Sequence, residues 1–429
     1  MRLRRELGLL HATMMGLGST ICAGIFVILG PAVEIAGPAV VLSFLFCGII
    51  NIATMLSYCE LGAAMPRVGG EYVYAKEAFN GFLSFLTGWY EWSSNIFYAT
   101  LMVLGSAQML VYVVPINNFL IMIILVAIFT AINIRGIKEA GVTQTLLTAT
   151  LLAILFLFIG TGFSHGFKSD AFEPFMPKGP LSVITAVAFI FEIYVGVEAI
   201  AATQAEIKKP EKTIPRAMIL CSLILMLVYT PIAYTTVGIL STEVLSNSST
   251  PLNLAAEKTM GTVGVILLTA AGLIAALTSL NSAIIASSRA AYALSKDGYF
   301  PKVFTKVHNR YKTPNISILL SSAVILFFST IDNIEFVTYL ISFGFLIGFS
   351  LVNLSLIKLR RNKPYMKRPF KTPLYPLTPI IGIGTSLMLL AFFDIKPLVF
   401  GITWAIFGLT FYWLKKRRIH INIGAGRKH

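Results

Sequence analysis

About twelve stretches of roughly 20 consecutive, mostly apolar residues follow one another along this chain, and no other feature constrains its fold as tightly. Some 30 Å of hydrocarbon takes about 20 helical residues to cross. The stretches lie near residues 9–32, 38–62, 82–113, 116–134, 141–163, 181–204, 216–240, 262–294, 315–331, 335–357, 375–394 and 398–414. The run at 82–113 is long enough to tilt or to begin outside the hydrocarbon. Only 12% of the chain is charged and 56% is hydrophobic, whereas a soluble domain devotes about a quarter of its residues to charge. The pattern predicts an all-α integral membrane protein in one transmembrane domain. The first run is too long for a cleaved leader, so no signal peptide is expected.

The net charge of +15 would suit nucleic acid if the basic residues were clustered on one soluble face. They are distributed by topology instead. With a cytoplasmic N-terminus and twelve crossings, all but four of the 34 Lys and Arg fall in cytoplasmic loops and tails; only Lys168, Lys178, Lys258 and Lys396 fall outside. This is the positive-inside pattern, which places both termini in the cytoplasm and the chain in the plasma membrane. Nucleic acid is not an expected partner. Cys22, Cys47, Cys59 and Cys221 all fall in or at the edge of spans, so no disulfide framework is implied. No metal-ligand spacing or cofactor fingerprint occurs, and neither is expected. Asn247-Ser248-Ser249 forms a glycosylation triplet in an outer loop, a pattern that also arises by chance.

Two runs contain residues that a membrane helix should avoid. The first reads GLGSTICAGIF (16–26) and the sixth FEIYVGVEAIAA (191–202). Each glycine costs a helix interior roughly 1 kcal/mol relative to alanine. The two lie five spans apart, an odd number, so the halves that carry them have opposite topology. Cys22 and Glu192 both fall roughly 16 to 20 Å deep at 1.5 Å per residue, near the midplane. Small residues also serve close helix packing, but a matched pair points to interrupted helices, as at transporter binding sites. An interruption frees about four N–H groups at one end and four C=O groups at the other. The N–H end attracts a carboxylate and the C=O end an ammonium, which together suit an amino acid.

Glu91, Glu192 and Glu198 lie inside spans, where an ionisable group is expensive and marks function by default. Every Lys and Arg maps to a loop, tail or span end, so these carboxylates must be protonated, hydrated, bonded to helix ends or paired with an arriving cation. Glu192, at the sixth-span interruption, suits contact with substrate or coupling ion. Glu198 suits capping of the interrupted helix, and Glu91 is open between the two roles. His11, His165, His308 and His420 lie near membrane edges or outside and offer no proton relay.

Three further segments carry a resemblance: ELGAAMPRVGGEYVY (60–74), AEIKKPEKTIPRA (205–217) and AYALSKDGYFP (291–301). With the two interrupted runs they resemble, over roughly residues 8–360, the amino acid, polyamine and organocation (APC) permeases. The resemblance implies a LeuT-like fold of two inverted five-helix repeats, about 8–163 and 181–357, with discontinuous helices 1 and 6. Two C-terminal helices at about 375–414 and a cytoplasmic tail at 415–429 would follow. It further implies that Thr20, Ile21, Cys22, Ala23 and Gly24 present backbone groups to the substrate, with Val195 and Gly196 at the opposing interruption and Asn95 lining the side-chain pocket. The chain departs from the family at three places. Cys22 replaces the first glycine of the usual trio, Glu192 replaces an aromatic gate, and Leu151 stands where some proton-coupled relatives carry lysine.

The expected activity is amino acid exchange or facilitated transport by alternating access, with cationic amino acids or polyamines suited to Glu192 and neutral substrates able to hydrogen-bond its protonated form. A sodium- or proton-coupled symporter of neutral amino acids is the alternative, with Thr278 and Ser279 supplying hydroxyls for sodium. A channel or receptor is more distant. An enzyme lacks a nucleophile and base that would converge. The expected partners are a small amino acid or amine and the lipid bilayer; a partner subunit is not legible.

Overall fold

The computed structural model describes residues 5–79, 81–111, 117–167, 171–248, 250–331, 334–391 and 395–425. Lys168 and Ser249, the last residue of the glycosylation triplet, lie outside them. The described chain is helical, and its one isolated bridge joins Leu7 to Ile207 in parallel.

The first apolar run folds as two helices, α1 (Leu9–Thr20) and α2 (Gly24–Ala36), followed by α3 (Val40–Ala64) and a short α4 (Gly70–Ala78). The next three spans are α5 (Phe82–Val111), α6 (Asn118–Arg135) and α7 (Ile137–His165). The sixth run is again divided, into α8 (Pro180–Ile190), a 3-10 turn at Phe191–Tyr194 and a one-turn α9 (Ala199–Ala202). Beyond it come α10 (Pro210–Ile239), a short α11 (Thr242–Ser246) and α12 (Pro251–Lys296), which bends where Gly261 takes φ +62°. Then follow α13 (Asn315–Ser329), α14 (Ile334–Asn362), α15 (Leu377–Ala391) and α16 (Ile395–Ala425), whose backbone stays helical through most of the expected tail.

Among the described residues, seven helical segments are long and apolar enough to cross a bilayer: Ile28–Ala64, Asn118–Arg135, Lys138–His165, Pro180–Ala202, Pro210–Ile239, Pro251–Lys296 and Leu340–Asn362. Asn315–Ser329, Leu377–Ala391 and Leu398–Trp413 are apolar but shorter. Two expected spans are missing from both sets for physical reasons. The first run is cut at Ile21, and the centre of α5 carries Trp89, Tyr90, Glu91, Trp92, Ser93, Ser94 and Asn95, which make it less apolar than its length suggests.

The outer faces are apolar, with Leu146, Leu227 and Phe327 each more than 60% exposed, while Asn133, Gln144, Asn281 and Arg289 are fully buried. A soluble protein has the opposite arrangement, whereas a lipid-embedded one places its polar groups inward. Helix α5 lies along α12 and α14, α3 lies on α10, α6 on α13, and α1 is enclosed by α7, α10 and α12.

The end of the bundle that carries Glu6 and Leu7 is closed by ionic and backbone contacts. The N–H groups of Glu6 and Leu7 donate to the Glu206 carbonyl at 2.9 and 3.1 Å, and Lys208 N–H donates to Leu7. Arg289, expected at an open span end, is instead fully buried and donates to both oxygens of Glu206 at 2.8 and 3.2 Å. The chain after α9 folds back and brings that partner to it. Nearby, Glu60 accepts from Arg360 at 2.9 and 2.5 Å and from Thr372 N–H at 2.7 Å, with Arg368 at 3.1 Å.

Candidate substrate site at two interrupted helices

Helix α1 ends because Ile21 takes φ −74°, ψ 84°, and the chain re-enters a helix only at Gly24. The second interruption turns at Val195, in extended geometry, and at Gly196, with φ +135°. A Cβ on Gly196 would lie 2.6 Å from the Thr20 nitrogen and 2.7 Å from the Ser19 carbonyl carbon. The two interruptions therefore touch backbone to backbone, and only glycine fits between them.

Freed carbonyls need donors in an apolar interior, and nearby hydroxyls and amides supply them. Ser279 Oγ donates to Gly18 and Ser19 at 3.2 and 3.1 Å, and Tyr98 OH donates to Ser19 at 2.7 Å. Tyr229 OH lies 3.1 Å from the Thr20 carbonyl and 3.2 Å from that of Ile193, so one phenol serves both interruptions. Asn51 Nδ2 donates to the Tyr194 carbonyl at 3.0 Å, and Tyr194 OH donates to Phe44 at 2.7 Å. Gly24 N–H, at the start of α2, points to Cys22 Sγ at 3.3 Å. The end of α1 thus presents carbonyls, the partly negative end of a helix, and the start of α2 presents amides, the partly positive end.

The carboxylates occupy different places. Half-buried Glu192 accepts from Ser342 Oγ of α14 at 2.9 Å and lies within electrostatic reach of the Cys22 thiol. Glu198 accepts from Gly196 N–H at 2.9 Å and so caps its own turn. Glu91 lies away from the gap, where it accepts from Tyr72 N–H at 2.9 Å and holds the start of α4. Asn95 donates to the Glu91 carbonyl, one turn back on α5, at 2.7 Å. None of the three acids pairs with Lys or Arg among the described residues.

Thr20, Gly24, Val195 and Gly196 lie at the gap with Ile21, Cys22 and Ala23. Thr278 instead bonds back to Ala275 of its own helix at 2.9 Å, while Ser279 faces α1. Leu151 is fully buried in apolar surroundings, and on the same face Thr148 Oγ1 donates to Met14 of α1 at 3.1 Å. Tyr98, Tyr229, Asn51 and Ser342 escaped the sequence reading; the available signal was a single polar group in an apolar span.

The sequence matches the amino acid permease family over residues 7–414. It is 28% identical to the methylthioribose transporter of Bacillus subtilis over 97% of this chain and 94% of that protein. It is 26% identical to the branched-chain amino acid permease BcaP of the same organism, over 97% of this chain and 94% of that one. A chloroplastic cationic amino acid transporter 9 of Arabidopsis thaliana is 28% identical over 83% of this chain and 67% of that protein. With its apolar helices and interrupted spans, this chain belongs to the amino acid permease family within the APC superfamily, a family of multi-pass membrane transporters and not of enzymes.

Proposed function

We propose that this protein moves amino acids across the plasma membrane by alternating access, as an exchanger or facilitator, with the substrate held between the α1–α2 and α8–α9 interruptions. The observation that carries the proposal is the backbone contact of Gly196 with Ser19 and Thr20, beside the carbonyl end of α1 and the amide start of α2. The substrate's ammonium would take carbonyls at Gly18–Thr20 in place of the Ser279, Tyr98 or Tyr229 hydroxyls. Its carboxylate would take the amide end of α2.

A LeuT-like arrangement of two inverted repeats with both termini cytoplasmic is supported by the way α3 lies on α10, α5 on α12 and α6 on α13, since each pair is five spans apart. Rocking one repeat against the other would expose the gap alternately to the two sides.

The relatives above are named for methylthioribose, branched-chain amino acids and cationic amino acids, so substrate choice must come from this chain's own residues. Glu192, whose one side-chain donor among the described residues is the neutral Ser342 hydroxyl, favours a side chain bearing an amine. Cationic amino acids or polyamines are therefore the proposed substrates. Sodium coupling is not proposed, because, of the two hydroxyls expected for the ion, only Ser279 reaches the α1 carbonyls, while Thr278 bonds back to Ala275 of its own helix.

Counterflow in proteoliposomes, with labelled arginine, lysine, putrescine, leucine and alanine outside and unlabelled substrate inside, tests the reading. Saturable entry accelerated by internal substrate, unchanged when sodium is replaced, is expected. Entry linear in concentration would indicate a channel, and no flux of any compound would sink the proposal.

A further inference from the structure

Apart from the gap between the interruptions, the inner end of α12 carries a cleft of about 730 Å³, a volume typical of ligand sites. Ser295, 1% exposed, lines it, and among the described residues its buried Oγ has no hydrogen-bond partner. Gly298, at φ +80°, turns the chain so that the short helical turn Lys302–Thr305 returns over the end of α12, and Lys302 and Thr305 form the opposite wall. Lys296 stands at the rim with its ammonium 5.4 Å from the centre of the Tyr292 ring. Neither Lys296 nor Lys302 meets a carboxylate among the described residues. The one acid in the cleft, Asp297, is already engaged by Lys76 at 2.5 Å and by the Tyr72 hydroxyl.

We infer that this cleft binds a phosphate group, with Lys296 and Lys302 on its oxygens and the orphaned Ser295 hydroxyl as a third donor. A buried hydroxyl without a partner is costly, and an anion accepting from it relieves that cost. Two lysines with no acid partner supply the complementary charge. The phosphate can belong to an inner-leaflet lipid headgroup or to a soluble anion. Val303, 42% exposed beside Lys302 and three residues before Lys306, gives this turn the apolar-plus-basic character of a membrane-surface segment. The occupant would also act on the inner closure. Asp297 ties the cleft to α4 through Lys76, and Arg289, eight residues earlier and on α12, holds Glu206.

The test is a titration of thermal unfolding on the full-length protein in nanodiscs. One arm adds phosphatidylglycerol to phosphatidylcholine discs; the other adds inorganic phosphate to discs of phosphatidylcholine alone. Either probe raising the midpoint supports the site and identifies the source. The Lys296→Gln/Lys302→Gln variant should bind at least about tenfold more weakly. Lys367→Gln/Lys371→Gln, which neutralises two other exposed inner lysines, should leave binding unchanged. If the double variant does not fold, Ser295→Ala, which removes only the orphaned hydroxyl, should still weaken binding. No shift with either probe, or equal loss in the cleft and control variants, overturns the inference.

Discussion

Alanine at Gly196 is the perturbation that bears most directly on the paired interruptions. Its Cβ would approach backbone atoms of Ser19 and Thr20 at 2.6–2.7 Å, well inside van der Waals contact, and no side chain there can turn aside. Holding a non-glycine residue at φ +135° costs roughly 1–3 kcal/mol. Forcing a methyl group between two packed backbones costs about another 1–3 kcal/mol. The two together come to roughly 2–6 kcal/mol, applied where α1 and the α8–α9 turn must fit around a substrate. Since about 1.4 kcal/mol is tenfold, Gly196→Ala should lower exchange by roughly 30-fold or more in proteoliposomes normalised for reconstituted protein. Gly105→Ala and Gly384→Ala are the controls, because a Cβ at either meets nothing within 4 Å. Both should keep near-normal flux. Normal flux in Gly196→Ala would show that the interruptions do not pack as described, and equal losses in all three variants would show that the effect is not local.

Four further outcomes are expected. Glu192→Gln should reduce exchange of arginine and putrescine at least tenfold while sparing leucine, as read from competition by each against one labelled substrate. A membrane-permeant thiol reagent should block transport through Cys22, and substrate should protect; full activity after complete Cys22 modification, verified by mass spectrometry, would place the gap elsewhere. Arg289→Met should destabilise the protein by about 3–5 kcal/mol, because it strands the buried Glu206, whereas Arg289→Met with Glu206→Leu should recover most of the loss in thermal unfolding. In α4, burial and then the neighbouring Glu198 charge push the Glu71 carboxyl up to about 8, against the lowering effect of its bond from Tyr58. A carboxyl raised in the folded state binds its proton more tightly there than in the unfolded chain, so stability should fall as pH rises from about 4.5 to about 8. Glu71→Gln should flatten that part of the unfolding-midpoint profile.

The two interruptions were legible because the residues that produce them are local: glycines, Ser19 and Thr20 stand together inside apolar runs. The groups that satisfy the freed backbone were not. Tyr98 reaches Ser19 across 79 residues and Tyr229 reaches Thr20 across 209, and a lone tyrosine in a long apolar span gives no sign of which carbonyl it meets. Glu91 was open to two roles because its partner belongs to α4, a helix that folds back from a loop and has no apolar periodicity to announce it. Arg289 was misplaced for a similar reason. Position along a span sets distance from the membrane edge, while the burial of Arg289 comes from the segment after α9 crossing over it. Runs of apolar residues marked helices, α5 (Phe82–Val111) included, but not which faces meet neighbours: the aromatic and hydroxyl side chains at the centre of α5 face other helices.

The central claim is that the two interruptions form one amino acid site, and an experimental structure at saturating arginine tests it most directly. The account predicts ligand density between Thr20–Gly24 and Glu192–Gly196. The ammonium should lie on α1 carbonyls, the carboxylate at the start of α2 and the side chain toward Glu192 and Ser342. Density confined to another cavity, or continuous α-helix through Ile21 and Val195 with substrate bound, would contradict it.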